Sequence, residues 1–365
     1  VRGQKGIEKK FRPEDYPDLR IVFVHVNTTL DRKAQQGDSA ALYLHYLLWL
    51  NASAKVAAKL QREVSFDFAH HISWESLQGG SELWRLDIPF IFGPVGGGQY
   101  PPKVLKPYFI KGWRTEMIRR LMGFLFMNLN PNTRRTLVKA RKTLVLNRET
   151  EELARRYDTR SVETFLDVNI SSGQLPDNYP ERKPTEKLRI LWVGGLKFRK
   201  GLPLVLEALH HVPDEVNFEL SIYGDGELAP YLPGLIVKYR LSEKVRWQGA
   251  RPFAELREAY LSHDVFMFCT LRETLGLQFF EAMSYGLPVI TLDLHGAGTA
   301  LPESTAMKVK VSSERKAIVK QLAEAVIFMQ THPEQRQDMG RAAWTYVRDL
   351  SRTDYAGKII AYLDE

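Results

Sequence analysis

Cysteine is almost missing from this chain. Cys269 is the single one in 365 residues, which excludes an internal disulfide framework and a cysteine-based zinc site. It closes the apolar run at 265–269 and reads as a small buried hydrophobe, in keeping with a reducing cytosol. Long apolar runs are missing too. None approaches the roughly 18 to 20 residues that a membrane-crossing helix needs. No signal-peptide pattern is visible near Val1, so the expectation is a cytoplasmic protein. Acidic residues, finally, are missing from one long stretch. Between positions 103 and 142 Glu116 is the only acid, against eleven lysines and arginines.

What is present is ordinary for a globular protein of two domains: 44% hydrophobic and 26% charged residues. The net charge is +8, and the 103–142 stretch concentrates it. Such a stretch calls for an anionic partner, a bilayer surface or a phosphorylated acceptor before nucleic acid, for which no dedicated motif is present. Its first part, 103–128, also carries many apolar residues. A helix pair packed on its domain with a wet lysine face is one reading. An interfacial segment on an anionic membrane, near a lipid-linked acceptor, is the sharper one.

The order of elements alternates. RIVFVHV at 20–26 reads as a buried strand, 39–62 as a helix capped by Asp38 or Ser39, and FDFAHHI at 66–72 as a second strand. A short helix at 74–85 and a strand at 89–92 follow, running into GPVGGGQ at 93–99. Gly96, Gly97 and Gly98 there let the backbone approach a ligand, and a flexible turn is the plain alternative. A strand at 144–146, a helix at 149–157 and a strand at 162–165 precede a linker at 167–188. The second half repeats the pattern, with strands at 189–193, 218–223, 245–247, 265–269 and 288–292 and helices between and after them. This alternation predicts an α/β protein of doubly wound parallel sheets, divided as 1–178, 179–350 and a last helix within 351–365.

The densest signal lies at 271–290, LRETLGLQFFEAMSYGLPVI. A helix is predicted to start between Glu273 and Glu281, with Thr274 as cap and Gly276 allowing close approach. It ends at Gly286, ahead of Pro288 and an apolar strand. A helix start offers amides and partial positive charge to a diphosphate. Glu281, further in, is placed to accept from ribose hydroxyls, and Glu273 from those of a sugar. A capped surface helix before a buried strand is the bland alternative.

These residues resemble the donor-site motif of glycosyltransferase family 4: Glu, seven residues, Glu, then Ala-Met-x-x-Gly-x-Pro-Val-Ile. Glu273, Glu281, Ala282, Met283, Gly286, Pro288, Val289 and Ile290 carry the match. WVGGLKFRKGLPLVLEAL, IYGDGE and VRWQGARP are similar to further landmarks, so the resemblance covers the second half; the first half is looser. The resemblance implies the GT-B fold, two Rossmann-like doubly wound parallel-sheet domains facing a cleft. The N-terminal domain is expected to be shortened, and the final helix to cross back to it.

It also implies retaining transfer of a sugar from a nucleotide-diphosphate donor, of UDP or GDP type, to a glycan or lipid-linked acceptor. No cofactor and no metal are expected, and no Asp-x-Asp loop is seen. In the family an arginine commonly follows the first glycine of the basic loop at 194–201, with a lysine five positions on. Lys200 matches the lysine and is assigned to the diphosphate, but Gly195 stands where the arginine belongs. Lys197 and Arg199 are the substitutes on hand. Gly194, Gly195, Gly224 and Gly249 are placed around the donor, with the amides of Thr274, Leu275, Gly276 and Leu277 facing phosphate or sugar. Some relatives carry a histidine after the strand matching 89–92. Here Gly93, Pro94 and Val95 stand there, leaving His70 and His71 as stand-ins beside Glu273 and Lys200. A catalytically weak transferase-like scaffold at a membrane and a GT-B sugar-nucleotide epimerase are the competing readings.

Overall fold

A computed structural model describes residues 16–26, 29, 32–33, 39–72, 74, 76–157, 161–168, 170, 175–183 and 185–364. Its first half opens with helix α1 (Ser39–Val64), then β1 (Ala69–His71) and β2 (Phe90–Val95). Helices α2 (Trp113–Leu129) and α3 (Pro131–Lys139), β3 (Lys142–Val145), α4 (Arg148–Arg155) and β4 (Val162–Thr164) complete it. The four strands form one parallel sheet in the order β1-β2-β3-β4.

The second half runs β5 (Leu188–Val193), α5 (Leu202–His210), β6 (Phe218–Tyr223), α6 (Leu232–Lys238), β7 (Val245–Trp247), α7 (Phe253–Ser262) and β8 (Val265–Met267). It continues with α8 (Leu277–Ser284), β9 (Val289–Asp293), α9 (His295–Ala300), β10 (Ala306–Lys310), α10 (Arg315–Thr331) and α11 (Pro333–Ser351). Its six strands lie parallel in the order β10-β9-β8-β5-β6-β7. The central strands are apolar on both faces because helices cover both: five of the six residues of β5 are buried. The order reverses between β5 and β8, and at such a switch point the loops leaving the carboxyl ends diverge and open a crevice.

The two halves share one apolar core. Leu105, Tyr108, Phe109, Leu146 and Val168 join the cluster built on Trp192, Phe266 and Phe268. The last helix, α12 (Tyr355–Asp364), lies on the first sheet, where Tyr355, Ile359 and Tyr362 pack on Ile91, Leu144 and Phe165. The Tyr362 hydroxyl donates to Glu163 at 2.6 Å. Among the described residues no helix is long and apolar enough to cross a membrane.

Several expectations are corrected. RIVFVHV is not a strand: residues 20–26 have no regular structure, and Val22 is 41% exposed. An apolar run becomes a strand only where a neighbouring edge takes its amides and carbonyls, and no described strand pairs with this one. The helix expected at 74–85 is two short 3-10 turns, Leu77–Gly79 and Leu83–Arg85, separated at Gly80, whose φ is +63°. Helix α9 and strand β10 were not anticipated; HGAGTA is too rich in small residues to show a period. Positions 1–15 and most of 27–38, Asp38 included, lie outside the described residues, as does the Ser39 side chain.

Candidate functional site

The switch point is built by two loops that hold each other. The loop at 194–201 leaves β5, makes a 3-10 turn over Phe198–Lys200 and ends at Gly201, whose φ is +70°. A Cβ on Gly201 would stand 1.9 Å from the Cys269 carbonyl oxygen, so only glycine lets the loops touch. The Arg199 carbonyl accepts from the Leu271 amide at 2.8 Å and from the Thr270 hydroxyl at 3.2 Å. The sequence between β8 and α8 is thereby fixed against the basic loop.

This brings Lys200, Arg199 and Glu273 together. One Glu273 carboxylate oxygen, Oε2, accepts from both Lys200 Nζ and Arg199 Nη1, the latter at 3.2 Å. Lys200 is 5% exposed and its ammonium stands 5.1 Å from the centroid of the Phe268 ring. Burial alone would raise the Glu273 carboxyl; Lys200 and Arg199 overcome it and hold it below the usual range. Burial lowers the Lys200 ammonium, with Glu273 opposing. A buried charge cluster of this kind is costly to leave unpaired, and its groups are ready to exchange partners with an incoming anion.

Helix α8 begins at this cluster. Its cap is Gly276 at φ +87°, a backbone conformation L side chains rarely adopt, and not Thr274 as the sequence predicted. Thr274 is occupied otherwise: its hydroxyl accepts from Gln99 Nε2 at 2.9 Å and its carbonyl from Asn147 Nδ2 at 2.9 Å. The helix starts at Leu277, four residues after Glu273, and a helix start carries partial positive charge. Leu275 is buried, whereas Leu277 is half exposed. Glu281 accepts from the Tyr260 hydroxyl at 3.1 Å, and burial raises its carboxyl above the ordinary value against the opposing pull of Tyr260 and Lys200. The helix ends as expected at Gly286, where the Leu287 amide reaches the Ala282 carbonyl. Arg182 of the linker supports that end, donating to the carbonyls of Tyr285 at 2.7 Å and Gly286 at 3.2 Å.

The remaining predicted glycines lie in the loops that leave neighbouring strands of the second sheet. The Gly194 amide donates to the Tyr223 carbonyl, and the Gly224 amide to the Gly249 carbonyl at 2.8 Å, so the loops after β5, β6 and β7 are stitched side by side. Gly195 is exposed, and a Cβ there would have no atom nearer than 3.9 Å, so the position has room for a long side chain. Lys197 is exposed beside it.

The first half closes over this region. Gly96, Gly97 and Gly98 are not a loose turn. The Gly97 amide donates to Gln99 Oε1 at 2.7 Å, its carbonyl accepts from Gln78 Nε2 at 2.6 Å, and the Gly98 amide donates to the Thr150 hydroxyl at 3.0 Å. Gln99 then reaches Thr274. A second clamp joins Glu116 of α2 to Arg272, with Nε to Oε2 at 2.7 Å. A third joins Arg148 to Asp293 at 3.3 Å and Glu149 to the His295 amide at 3.2 Å. The sequence assigns no site role to Gln99, Glu116, Asn147 or Arg272. The signal available was adjacency: Gln99 follows the three glycines and Arg272 precedes Glu273.

The two histidines stand apart from the cluster. His71 Nδ1 pairs with the Ser81 hydroxyl at 2.8 Å and its Nε2 with the Tyr46 hydroxyl of α1 at 3.3 Å. His70 Nε2 pairs with the Gly93 carbonyl at 2.7 Å, and burial lowers its pKa. Both line a crevice of about 310 Å³ under α1 that includes neither Lys200 nor Glu273. Another recess, of about 820 Å³, opens where Lys103 and Arg148 face Asp293 and Lys310, also without contact to that cluster.

Residues 177–345 match the family described as glycosyl transferases group 1. The chain is 34% identical over 118 residues to the sulfoquinovosyl transferase of Arabidopsis thaliana, covering 32% of this chain and 22% of that protein. It is 30% identical over 132 residues to a putative colanic acid biosynthesis glycosyltransferase of Escherichia coli, covering 34% and 32%. The matches therefore span a third or less of these curated relatives. Among solved structures, sucrose-phosphate synthase of Thermosynechococcus elongatus aligns with a TM-score of 0.59 at 19% identity, over 87% of this chain and 78% of that one. The Anabaena protein HepE in complex with UDP aligns with a TM-score of 0.57 at 13% identity, over 84% and 82%. These likenesses establish the GT-B fold for the chain.

Proposed function

We propose, from a second domain that belongs to the glycosyl transferases group 1 family, that this chain is a retaining glycosyltransferase. It moves a sugar from a nucleotide-diphosphate donor to a hydroxyl of a glycan or lipid-linked acceptor. The observation that carries this reading is the buried Lys200–Glu273–Arg199 cluster at the start of α8, at the switch point of the sheet. Such a site suits a diphosphate: two cations and a helix start neutralise the charge that develops on the leaving group.

Glu273 occupies the cations until the donor arrives. The diphosphate takes over Lys200 and Arg199, and the freed Glu273 carboxylate accepts from the sugar hydroxyls. Glu281 accepts from the ribose, and the Gly224–Gly249 loops border the base. Among the structural neighbours, HepE was solved with UDP and with UDP-glucose, which favours a UDP-type donor. The acceptor oxygen bonds to the anomeric carbon on the face that the diphosphate leaves. The bond from that carbon to the phosphate oxygen breaks, and the acceptor proton passes to the departing phosphate. No histidine is required, in keeping with His71 being held by Ser81 and Tyr46.

One observation favours a second reading, a transferase-like protein with weak or no turnover: Gly195 leaves open the space beside the cluster that a further phosphate-binding arginine would fill. A thermal-shift screen over UDP- and GDP-sugars, followed by NMR of the released sugar, separates the two. The transferase reading predicts stabilisation by one donor class and slow hydrolysis giving first the anomer of the donor. Stabilisation without hydrolysis or transfer selects the weak reading, and no stabilisation by any donor overturns both.

A further inference from the structure

Helix α2 faces the wrong way for a helix that merely closes a domain. Its buried line is short, Glu116 and Met127, with Gly123 against Tyr100 between them. On the opposite side Ile118, Leu121, Met122 and Leu129 follow one another at i, i+3, i+4 and i+11, which is one stripe of an α-helix. Ile118 is 63% exposed, Leu121 58% and Leu129 74%. The stripe does not end with the helix. Phe126 stacks on Tyr43 of α1 with centroids 6.3 Å apart, and the exposed Tyr43 and Leu44 extend the apolar surface onto that helix. Apolar surface of this extent, outside the crevice just described, marks a surface for a partner.

The charges around the ridge identify the partner. Arg114, Arg119 and Arg120 are all exposed on α2 itself. The lone acid of the stretch, Glu116, is turned inward and neutralised by Arg272. Among the described residues of α2 the outward charges are therefore all cationic, beside the apolar stripe. A second copy of the chain would bring like charges face to face, which disfavours self-association. A bilayer with anionic headgroups satisfies both features, taking the apolar stripe into the headgroup boundary and the cations at the phosphate level.

We propose that the α1–α2 ridge is a docking surface for an anionic lipid bilayer. This goes beyond the transferase reading and does not depend on it. It also has a consequence for that reading: Glu116 ties the docked helix directly to Arg272, the residue before Glu273, so the crevice is held next to the lipid surface.

The test is co-sedimentation of the full chain with vesicles of equimolar phosphatidylglycerol and phosphatidylcholine, and with vesicles of phosphatidylcholine alone. The bound fraction with anionic vesicles is expected to exceed that with neutral ones by about tenfold or more at low salt, and to fall as salt is raised. The double substitution Ile118→Glu and Leu121→Glu removes the binding. Both side chains point outward, so the thermal transition and UDP binding of this variant stay unchanged. Equal recovery with both vesicle types would overturn the charge basis of the proposal. No recovery with either, or a dimer that the double substitution dissolves, would overturn the lipid surface itself.

Discussion

The two sheets of this chain follow the same parallel logic and are finished differently. In the second, the central strands of six are covered on both faces, and β5 and β6 run for six residues each. In the first, β1 and β4 have three residues, the connection from β1 to β2 contains two 3-10 turns and no α-helix, and α1 and α2 keep apolar residues in solvent. The difference teaches how the labour is divided. The second domain builds the charged crevice from its own loops. Among its described residues the first contributes no charge to the Lys200–Glu273–Arg199 cluster and acts through clamps at Arg272, Thr274 and His295.

That division can be broken most directly at its charged centre. Lys200→Ala removes the principal buried cation and leaves Glu273 with Arg199 alone; donor turnover is expected to fall by about a hundredfold or more, read from steady-state rates with the donor saturating. If the loss is under tenfold, the cluster is a structural ion pair. Next in size is the clamp between the domains. Glu116→Gln leaves Arg272 buried without its counter-charge, which costs about 3 kcal/mol of stability in chemical denaturation. The nucleotide affinity of the surviving folded protein changes little, because the crevice is made by the second domain. A parallel tenfold loss of affinity would show that the first domain shapes the site directly.

Glu281 gives a smaller effect that depends on pH. Burial raises its carboxyl above the ordinary value, so folding favours the protonated form. The stability this group contributes is full below the ordinary carboxyl pKa and is lost as pH rises through the higher folded value. Glu281→Gln, which can still accept from Tyr260, is expected to raise the melting temperature at neutral pH by about 1 to 2 °C and to leave it unchanged at acid pH. The same substitution weakens nucleotide binding by a few fold. A variant that binds UDP as tightly as the parent would remove Glu281 from the ribose. The smallest expected change is a gain. Gly195→Arg enters open space and should tighten nucleotide binding by a few fold without loss of stability, and an unchanged affinity would place the diphosphate elsewhere.

The same contrast explains what the sequence made legible. The strands expected at 189–193 and 265–269 fall on β5 and β8 because buried central parallel strands are nearly continuous apolar runs. RIVFVHV is also an apolar run, yet no described strand offers it an edge, a condition that composition cannot carry. Glu273, Glu281 and Lys200 were legible because local elements, a loop and the helix after it, place them. Glu116 with Arg272 and Gln99 with Thr274 were not, since each pair meets only after two domains have packed. Thr274 is the instructive error: a threonine before a helix has the chemistry of a cap, and here a glutamine from the other domain claims its hydroxyl.

The central claim is that the crevice between β5 and β8 binds a nucleotide diphosphate through Lys200. Titration calorimetry of UDP and GDP into the full chain, and into Lys200→Ala, tests it most directly. The account predicts binding of at least one nucleotide at millimolar or tighter affinity, weakened about tenfold or more by the substitution. Equal affinity in the parent and the variant, or no heat with either nucleotide, would contradict it.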